Sequence, residues 1–138
     1  MKIKVKDILW FIAEFLPDIR DEKEALDYEV DETEISQCFA TALKALRRIK
    51  KLSLNALSEK IDIPNPSISR YENGLVTPTL PQAIKIATFF DLNIELFIYL
   101  GLMGTKGADI ENLYQKFTEQ MKGARKLNRQ QRRAHKKT

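Results

Sequence analysis

The sequence predicts an all-α fold for most of the chain. Apolar residues recur at steps of three and four in several separate segments, which is the spacing of one face of an α-helix. Residues that cap helices precede these segments, and turn-forming residues follow them. At 138 residues, with 43% hydrophobic and 30% charged residues, the chain has the composition of one globular domain with appended arms.

The N-terminal region, residues 1–33, is predicted to be an apolar helix followed by an acidic linker. Its helical stripe comprises Ile8, Phe11, Ile12, Phe15 and Ile19. Further apolar residues widen this face beyond half the circumference, so either the rest of the chain or a second subunit must cover it. The alternating residues 2–6 ahead of the helix have the period of a short strand.

Residues 34–103 are predicted to form a five-helix bundle. Asp31 and Glu34 have the spacing of a capping box at the start of the first helix. Ser53 caps the second helix, and Asp62 follows it in a turn that favours a left-handed backbone. Asn65 is predicted to cap the third helix, with Pro66 at its first position.

The third helix is predicted to stop at Asn73-Gly74, because glycine readily adopts the left-handed C-terminal conformation. Thr79 opens the fourth helix, whose predicted inner side consists of Ile84, Ala87 and Phe90. The stretch after Asn93 favours a fifth helix, and a short strand over 94–100 is the alternative.

The C-terminal region, residues 108–138, is predicted to be an amphipathic helix with a basic tail. Three glycines ahead of it indicate a flexible break: Gly101, Gly104 and Gly107. The apolar stripe of this helix then runs from Ile110 to Leu127. No acidic residue occurs from Lys122 onward, where eight Lys and Arg residues are found.

The charge is distributed unevenly along the chain. Residues 1–37 carry a net charge of −6, residues 38–104 carry +3, and residues 105–138 carry +7. A basic end favours a nucleic-acid partner. The single cysteine, Cys38, gives no indication of secretion, and no apolar run approaches the roughly 20 residues that span a bilayer. We therefore expect a cytoplasmic protein with no membrane association.

Nothing in the sequence indicates catalysis. The one histidine, His135, lies in the basic tail. Cys38 has no histidine or acid at a spacing that would indicate a catalytic site. The chain has no glycine-rich phosphate loop and no paired-cysteine metal motif. We expect no enzymatic activity, no cofactor and no metal.

Residues from about Phe39 to Leu100 resemble the Cro/C1-type (Xre) helix-turn-helix family. The resemblance rests on joint agreement at positions in four helices and their turns: Leu46, Arg47, Leu52, Ser53, Leu57, Ile63, Ile68, Ser69, Glu72, Gly74 and Pro78. It implies a bundle whose third helix lies in the major groove of DNA. The sequence departs from the family at Leu54, where glutamine is usual, at Asp62, where glycine is usual, and at Pro64, where serine or threonine is usual.

The resemblance implies three groups of site residues. The base-facing candidates are Asn65, Pro66, Ser67 and Arg70. The phosphate-facing candidates are Ser53, Asn55, Asn73 and Thr77, together with the basic end of the first helix. Arg47 and Glu72 match a family pair that links the first helix to the end of the third.

Two functions fit these features. The first is a transcriptional regulator, a repressor that binds a two-fold operator in double-stranded DNA as a homodimer through either the N-terminal helix or the C-terminal one. The alternative is an antitoxin of a toxin–antitoxin pair, which would bind a protein partner through the acidic N-terminal arm and would also bind its own operator. A third possibility is that the helix-turn-helix fold serves only as a scaffold.

Overall fold

The computed structural model describes residues 2–4, 29–119 and 122. The predicted apolar helix at 8–19, the N-terminal arm as a protein-binding segment and the basic tail lie outside the described residues. Two short strands, β1 (Ile3–Lys4) and β2 (Glu29–Val30), precede the helices. The helices are α1 (Glu32–Ile49), α2 (Leu54–Ile61), α3 (Asn65–Glu72), α4 (Leu80–Phe89), α5 (Ile94–Thr105) and α6, described over 110–119.

Four helices begin at the caps that the sequence predicts. The side chains of Asp31, Ser53, Thr79 and Asn93 each accept a hydrogen bond from the backbone N–H three residues later. These bonds satisfy N–H groups that have no partner within the helix. The five helices predicted within residues 34–103 correspond to α1–α5, and the stretch 94–100 is helical rather than a strand.

The core lies chiefly between α1 and α5, the two longest described helices. The rings of Phe39 and Phe97 have centroids 4.6 Å apart, and Phe90 lies 6.2 Å from Phe97. From α6, Tyr114 is buried and its hydroxyl donates to the carbonyl oxygen of Phe90 at 2.8 Å. The bundle therefore joins elements that are distant in sequence around one aromatic centre.

The predicted glycine break is wrong at two of its three positions. Gly101 and Gly104 lie inside α5, and only Gly107 follows the helix, with φ of +89°. A Cβ atom placed on Gly101 would lie 1.7 Å from the carbonyl oxygen of Cys38 in α1. Glycine is therefore present here because α1 and α5 approach closely, and not because the chain bends.

The inner side of α4 also differs from the prediction. Ala87 and Phe90 are buried as predicted, but Ile84 is 49% exposed, whereas Ile86 is fully buried. Both isoleucines fit a helical spacing, and the stripe through Ala83, Ile86, Ala87 and Phe90 is the one that faces the core.

The short strand predicted within residues 2–6 is present as β1, whereas its partner β2 has no counterpart in the prediction. β1 and β2 pair in antiparallel register, with Ile3 opposite Val30 and Lys4 opposite Glu29. The strand-like pattern at residues 2–6 thus contains β1, and Val30 is buried beside the start of α1.

No single helix among the described residues combines the length and the hydropathy needed to cross a bilayer. Taken together, α4 and α5 meet those criteria, but the two helices are bent by 78° at their junction.

Candidate nucleic-acid interface

The turn between α2 and α3 is fixed by contacts on both sides. Asp62 adopts the left-handed conformation predicted for it, with φ of 53° and ψ of 49°. The Ser58 hydroxyl donates to the carbonyl oxygen of Ile63 at 2.6 Å, and the Lys85 ammonium donates to that of Asp62 at 3.1 Å. Ile63 is 1% exposed and anchors the turn in the core. These contacts set the direction in which α3 leaves α2.

The start of α3 corrects the prediction for Asn65. The N-cap is Pro64, which makes no side-chain capping bond, and Asn65 is already the first helical residue. The carbonyl oxygen of Pro64 accepts from the N–H groups of Ser67 and Ile68, so the helical bonds begin one residue earlier than predicted. The Asn65 side chain therefore does not cap α3.

The Asn65 side chain instead contacts α2. Its Nδ2 donates a hydrogen bond to Oδ1 of Asn55. An amide nitrogen has two N–H groups, so this bond leaves the second N–H and the Oδ1 atom of Asn65 for another partner. Asn55 is exposed and Asn65 is partly exposed. The contact joins a predicted phosphate residue to a predicted base residue.

The end of α3 is held by an ion pair with α1. The Nε atom of Arg47 lies 2.7 Å from Oε1 of Glu72, and their side chains are only 15% and 6% exposed. Arg47 Nη1 also donates to the carbonyl oxygen of Leu52 at 2.8 Å. One guanidinium group thus connects α1, the α1–α2 loop and α3.

The outer side of α3 is exposed between these two attachments. Ile68 is fully buried and Tyr71 is partly buried, whereas Pro66 and Arg70 are exposed. Ser67 is partly exposed. The side chain of Arg70 makes no hydrogen bond or ion pair with another described residue, so its guanidinium group is available to a ligand.

The remaining predicted residues lie at the two ends of this surface. Ser53 Oγ is engaged as the cap of α2, accepting from the N–H of Ala56 at 3.1 Å. Asn73 is exposed at the end of α3, and Thr77 Oγ1 lies 2.6 Å from Ser36 Oγ of α1. The described contacts therefore join Asn55 with Asn65 and Arg47 with Glu72, whereas Ser53 and Thr77 contact residues outside the predicted set.

The structure also defines the basic surface of α1 more closely than the sequence does. Lys44 and Arg48 share a groove of about 370 Å³ with Asn73 at the end of α3. The groove is further lined by Gln37, Ala40, Thr41, Ala45 and Glu72. The spacing of four between Lys44 and Arg48 was the available signal, because residues four apart share a helix face.

The Cys38 thiol and the Tyr114 hydroxyl belong to buried side chains. Burial, with a smaller contribution from Glu34, raises the pKa of the Cys38 thiol to about 11, so the thiol is protonated at neutral pH. Burial and the neighbouring Asp91 raise the pKa of Tyr114 to about 12. Within the described residues, no group of three histidine, cysteine or acidic side chains could hold a metal ion.

Comparison with known proteins agrees with this geometry. Residues 43–97 match the protein family described as Helix-turn-helix, a range that runs from α1 into α5. An uncharacterised HTH-type transcriptional regulator of Methanocaldococcus jannaschii is 38% identical over 58 residues, which are 41% of this chain and 88% of that protein. No solved structure gave a significant match. The chain thus contains a helix-turn-helix DNA-binding domain and belongs to the Cro/C1-type helix-turn-helix family.

Proposed function

We propose that this protein is a sequence-specific transcriptional regulator, a homodimeric cytoplasmic repressor that reads double-stranded DNA with α3. The observation that carries the proposal is the attachment of α3 at both ends with its outer side left exposed. Asn55 contacts its first residue, and Arg47 contacts its last. A helix held in this way can enter the major groove without first becoming ordered, so less free energy is lost on binding.

The exposed side chains match the chemistry of base edges. Arg70 can donate two parallel hydrogen bonds to O6 and N7 of guanine, which distinguishes guanine from the other bases in the major groove. Asn65 retains one N–H and its Oδ1 atom, which are the groups that pair with N7 and N6 of adenine. Ser67 can bond to several base edges, and Pro66 can contact a thymine methyl group.

Contacts with phosphate would fix the register of α3 along the groove. The proposed phosphate residues are Ser53, Asn55, Asn73 and Thr77, and Lys44 and Arg48 add positive charge beside Asn73. Such contacts position a protein on the duplex without reading its sequence. One domain of this kind makes few base contacts, so a homodimer on a two-fold site would supply the affinity and specificity that a repressor needs.

Selection of bound sequences from random duplex DNA tests this proposal. We expect the full-length chain to select a site with two-fold symmetry. Arg70→Ala should lower affinity for that site by about fivefold to 150-fold, since a bidentate contact contributes about 1–3 kcal/mol of discrimination. Its affinity for random duplex should change little.

Lys116→Ala is the matched control, because Lys116 is an exposed cation on α6 and not on α3. It removes one positive charge as Arg70→Ala does, and it should leave the selected sequence unchanged. Equal losses on selected and random DNA would show that Arg70 reads no base. Failure to enrich any sequence would overturn the proposal of specific recognition.

A further inference from the structure

Leu75 presents an apolar side chain just beyond the end of α3. Its side chain is 74% exposed, the highest value among the large apolar side chains of the described residues. A single exposed leucine is common on protein surfaces and has no meaning by itself. The backbone around Leu75, however, fixes this side chain beside Arg70.

The backbone at the end of α3 forms a Schellman motif. The N–H of Leu75 donates to the carbonyl oxygen of Arg70 at 3.0 Å, and the N–H of Gly74 donates to that of Tyr71 at 3.1 Å. Gly74 has the left-handed conformation that the motif requires, with φ of +68°. These bonds satisfy carbonyl groups of the last turn that have no partner within the helix. The motif therefore fixes the direction in which the chain leaves α3.

The same motif places Leu75 next to the side chain of Arg70. In a Schellman motif, an apolar side chain at the position of Leu75 commonly packs against the residue whose carbonyl oxygen accepts its N–H. That residue is Arg70, whose side chain is exposed and makes no hydrogen bond or ion pair with another described residue. Since Leu75 remains 74% exposed, the aliphatic part of Arg70 covers little of it. Leu75 is thus open to the ligand that Arg70 binds.

Contacts with α1 hold this turn on both sides of Leu75. A Cβ atom placed on Gly74 would lie 2.6 Å from Nε2 of Gln37, so the backbone of Gly74 lies close against that side chain. Two residues after Leu75, the Thr77 hydroxyl lies 2.6 Å from the hydroxyl of Ser36. The turn is therefore already ordered, and little backbone freedom would be lost when Leu75 contacts a ligand.

We propose that Leu75 is a specificity-determining residue that contacts the C5-methyl group of a thymine adjoining the guanine bound by Arg70. The thymine methyl group is the apolar feature of base pairs in the major groove, and apolar side chains recognise it. A leucine side chain has no group that could bond to phosphate or to the polar edge of a base. This inference rests on the proposed function and extends the base-reading surface beyond α3 itself.

Replacement of thymine by deoxyuridine in the selected DNA sequence tests the contact, because it removes the methyl group alone. The guanine that Arg70 reads is the position whose preference Arg70→Ala abolishes. Affinity is then measured by fluorescence anisotropy on a half-site duplex, so that dimerisation does not affect the result.

Deoxyuridine at the adjoining base pair should lower the affinity of the wild type about fourfold, the factor expected for one buried methyl group. Leu75→Ala should bind the thymine and deoxyuridine duplexes equally. Leu75→Met should retain the preference for thymine, because methionine supplies an apolar side chain of similar volume. Thermal denaturation should show that the variants are as stable as the wild type, as expected at an exposed position.

Val76→Ala provides the comparison at the next position in the chain. Val76 is 47% exposed and apolar, but it takes part in neither hydrogen bond of the Schellman motif. Its truncation should leave the preference for thymine over deoxyuridine equal to that of the wild type.

Three results would overturn the assignment of Leu75 while leaving the proposed function intact. They are a selected sequence with no thymine adjoining that guanine, a wild type that binds both duplexes equally, and a Leu75→Ala variant that still prefers thymine. If no sequence is selected, or if Arg70→Ala changes no preference, specific reading by α3 fails and the role of Leu75 fails with it.

Discussion

The carboxylate of Glu72 is nearly buried at the end of α3, where the Arg47 guanidinium compensates its charge. Its side chain is 6% exposed, and a charge at that depth is stable only when it is paired. The pair also orients α3, because the carboxylate belongs to the last residue of that helix and the guanidinium to α1. A single contact therefore bears on both the stability of the domain and the direction of α3.

Glu72→Ala should destabilise the protein markedly, because it leaves the guanidinium of Arg47 partly buried without its partner. We expect a loss of about 3 kcal/mol in the free energy of unfolding. Thermal denaturation followed by circular dichroism would measure this as a melting temperature lowered by roughly 10 °C.

Glu59→Ala is the appropriate comparison, because Glu59 is an exposed glutamate on α2. Glu59→Ala should change the free energy of unfolding by no more than about 0.5 kcal/mol. A melting temperature for Glu72→Ala equal to that of Glu59→Ala would show that the ion pair contributes nothing to stability.

At this scale, the sequence predicts local chemistry better than contacts between helices. The capping roles of Asp31, Ser53 and Thr79 and the left-handed turn at Asp62 follow from a residue and its immediate neighbours. The Asn55–Asn65 hydrogen bond does not, because it depends on how α2 and α3 meet. The sequence predicts Asn65 as the N-cap of α3 because asparagine is a favoured cap, but the N-cap residue is Pro64. Its carbonyl oxygen accepts the first helical hydrogen bonds.

Among the helices, α5 owes its conformation to the helix that it packs against. Its sequence is rich in residues that also favour strands, and it contains two glycines, yet it continues through Thr105. Asn93 caps its start, and the close approach at Gly101 lets its backbone lie against that of α1. Packing against α1 therefore outweighs the local preferences of α5.

Gly101→Ala should separate α1 from α5, because the added Cβ would lie 1.7 Å from a backbone oxygen that cannot rotate away. Overpacking of this kind costs about 1–3 kcal/mol and exceeds the roughly 1 kcal/mol that alanine gains over glycine inside a helix. Urea denaturation should therefore show a lower free energy of unfolding.

Gly104→Ala in the same helix provides the control. Its Cβ would lie 2.3 Å from the terminal methyl carbon of Ile110, a flexible side chain that can move aside. The helix preference for alanine should offset most of the strain there. If both variants are equally stable, close packing at Gly101 is not what requires glycine.

The errors in predicting α4 and α5 have a common physical origin. Spacing identifies that a helix has an apolar side, but α4 offers both Ile84 and Ile86, and only the tertiary contacts decide between them. Likewise, a glycine indicates either freedom of the backbone or a close neighbour. The neighbour of Gly101 is Cys38, which lies more than 60 residues earlier, so no local pattern could reveal it.

For the molecule as a whole, charge increases from the N-terminal to the C-terminal region. The net charge is −6 over residues 1–37 and +7 over residues 105–138. Lys44 and Arg48 line the groove beside the end of α3, and Arg70 is exposed on α3 itself, so the middle of the chain also presents positive charge around this helix. The fold class and the location of the DNA-binding unit were predictable, because both rest on patterns repeated over many residues.

Removal of residues 123–138 should weaken the salt dependence of DNA binding. This segment carries seven Lys and Arg residues and no acid, and each cation that neutralises a phosphate contributes about 0.9 to the slope of log affinity against log salt. We expect a slope lower by about 2 or more, measured by fluorescence anisotropy between low and physiological salt.

The selected DNA sequence should be the same with and without the tail, since phosphate contacts carry no sequence information. A full-length variant in which the seven cations are replaced by glutamine should behave as the truncated chain does. An unchanged slope in both proteins would mean that the tail does not touch DNA.

The hydrogen bond between Asn55 and Asn65 also constrains how this protein could evolve. A change at position 65 alone would leave the Asn55 amide oxygen without its donor, and a change at position 55 alone would leave Asn65 able to rotate. If α3 reads operator DNA as proposed, new operator preferences should therefore arise most readily through paired substitutions at positions 55 and 65.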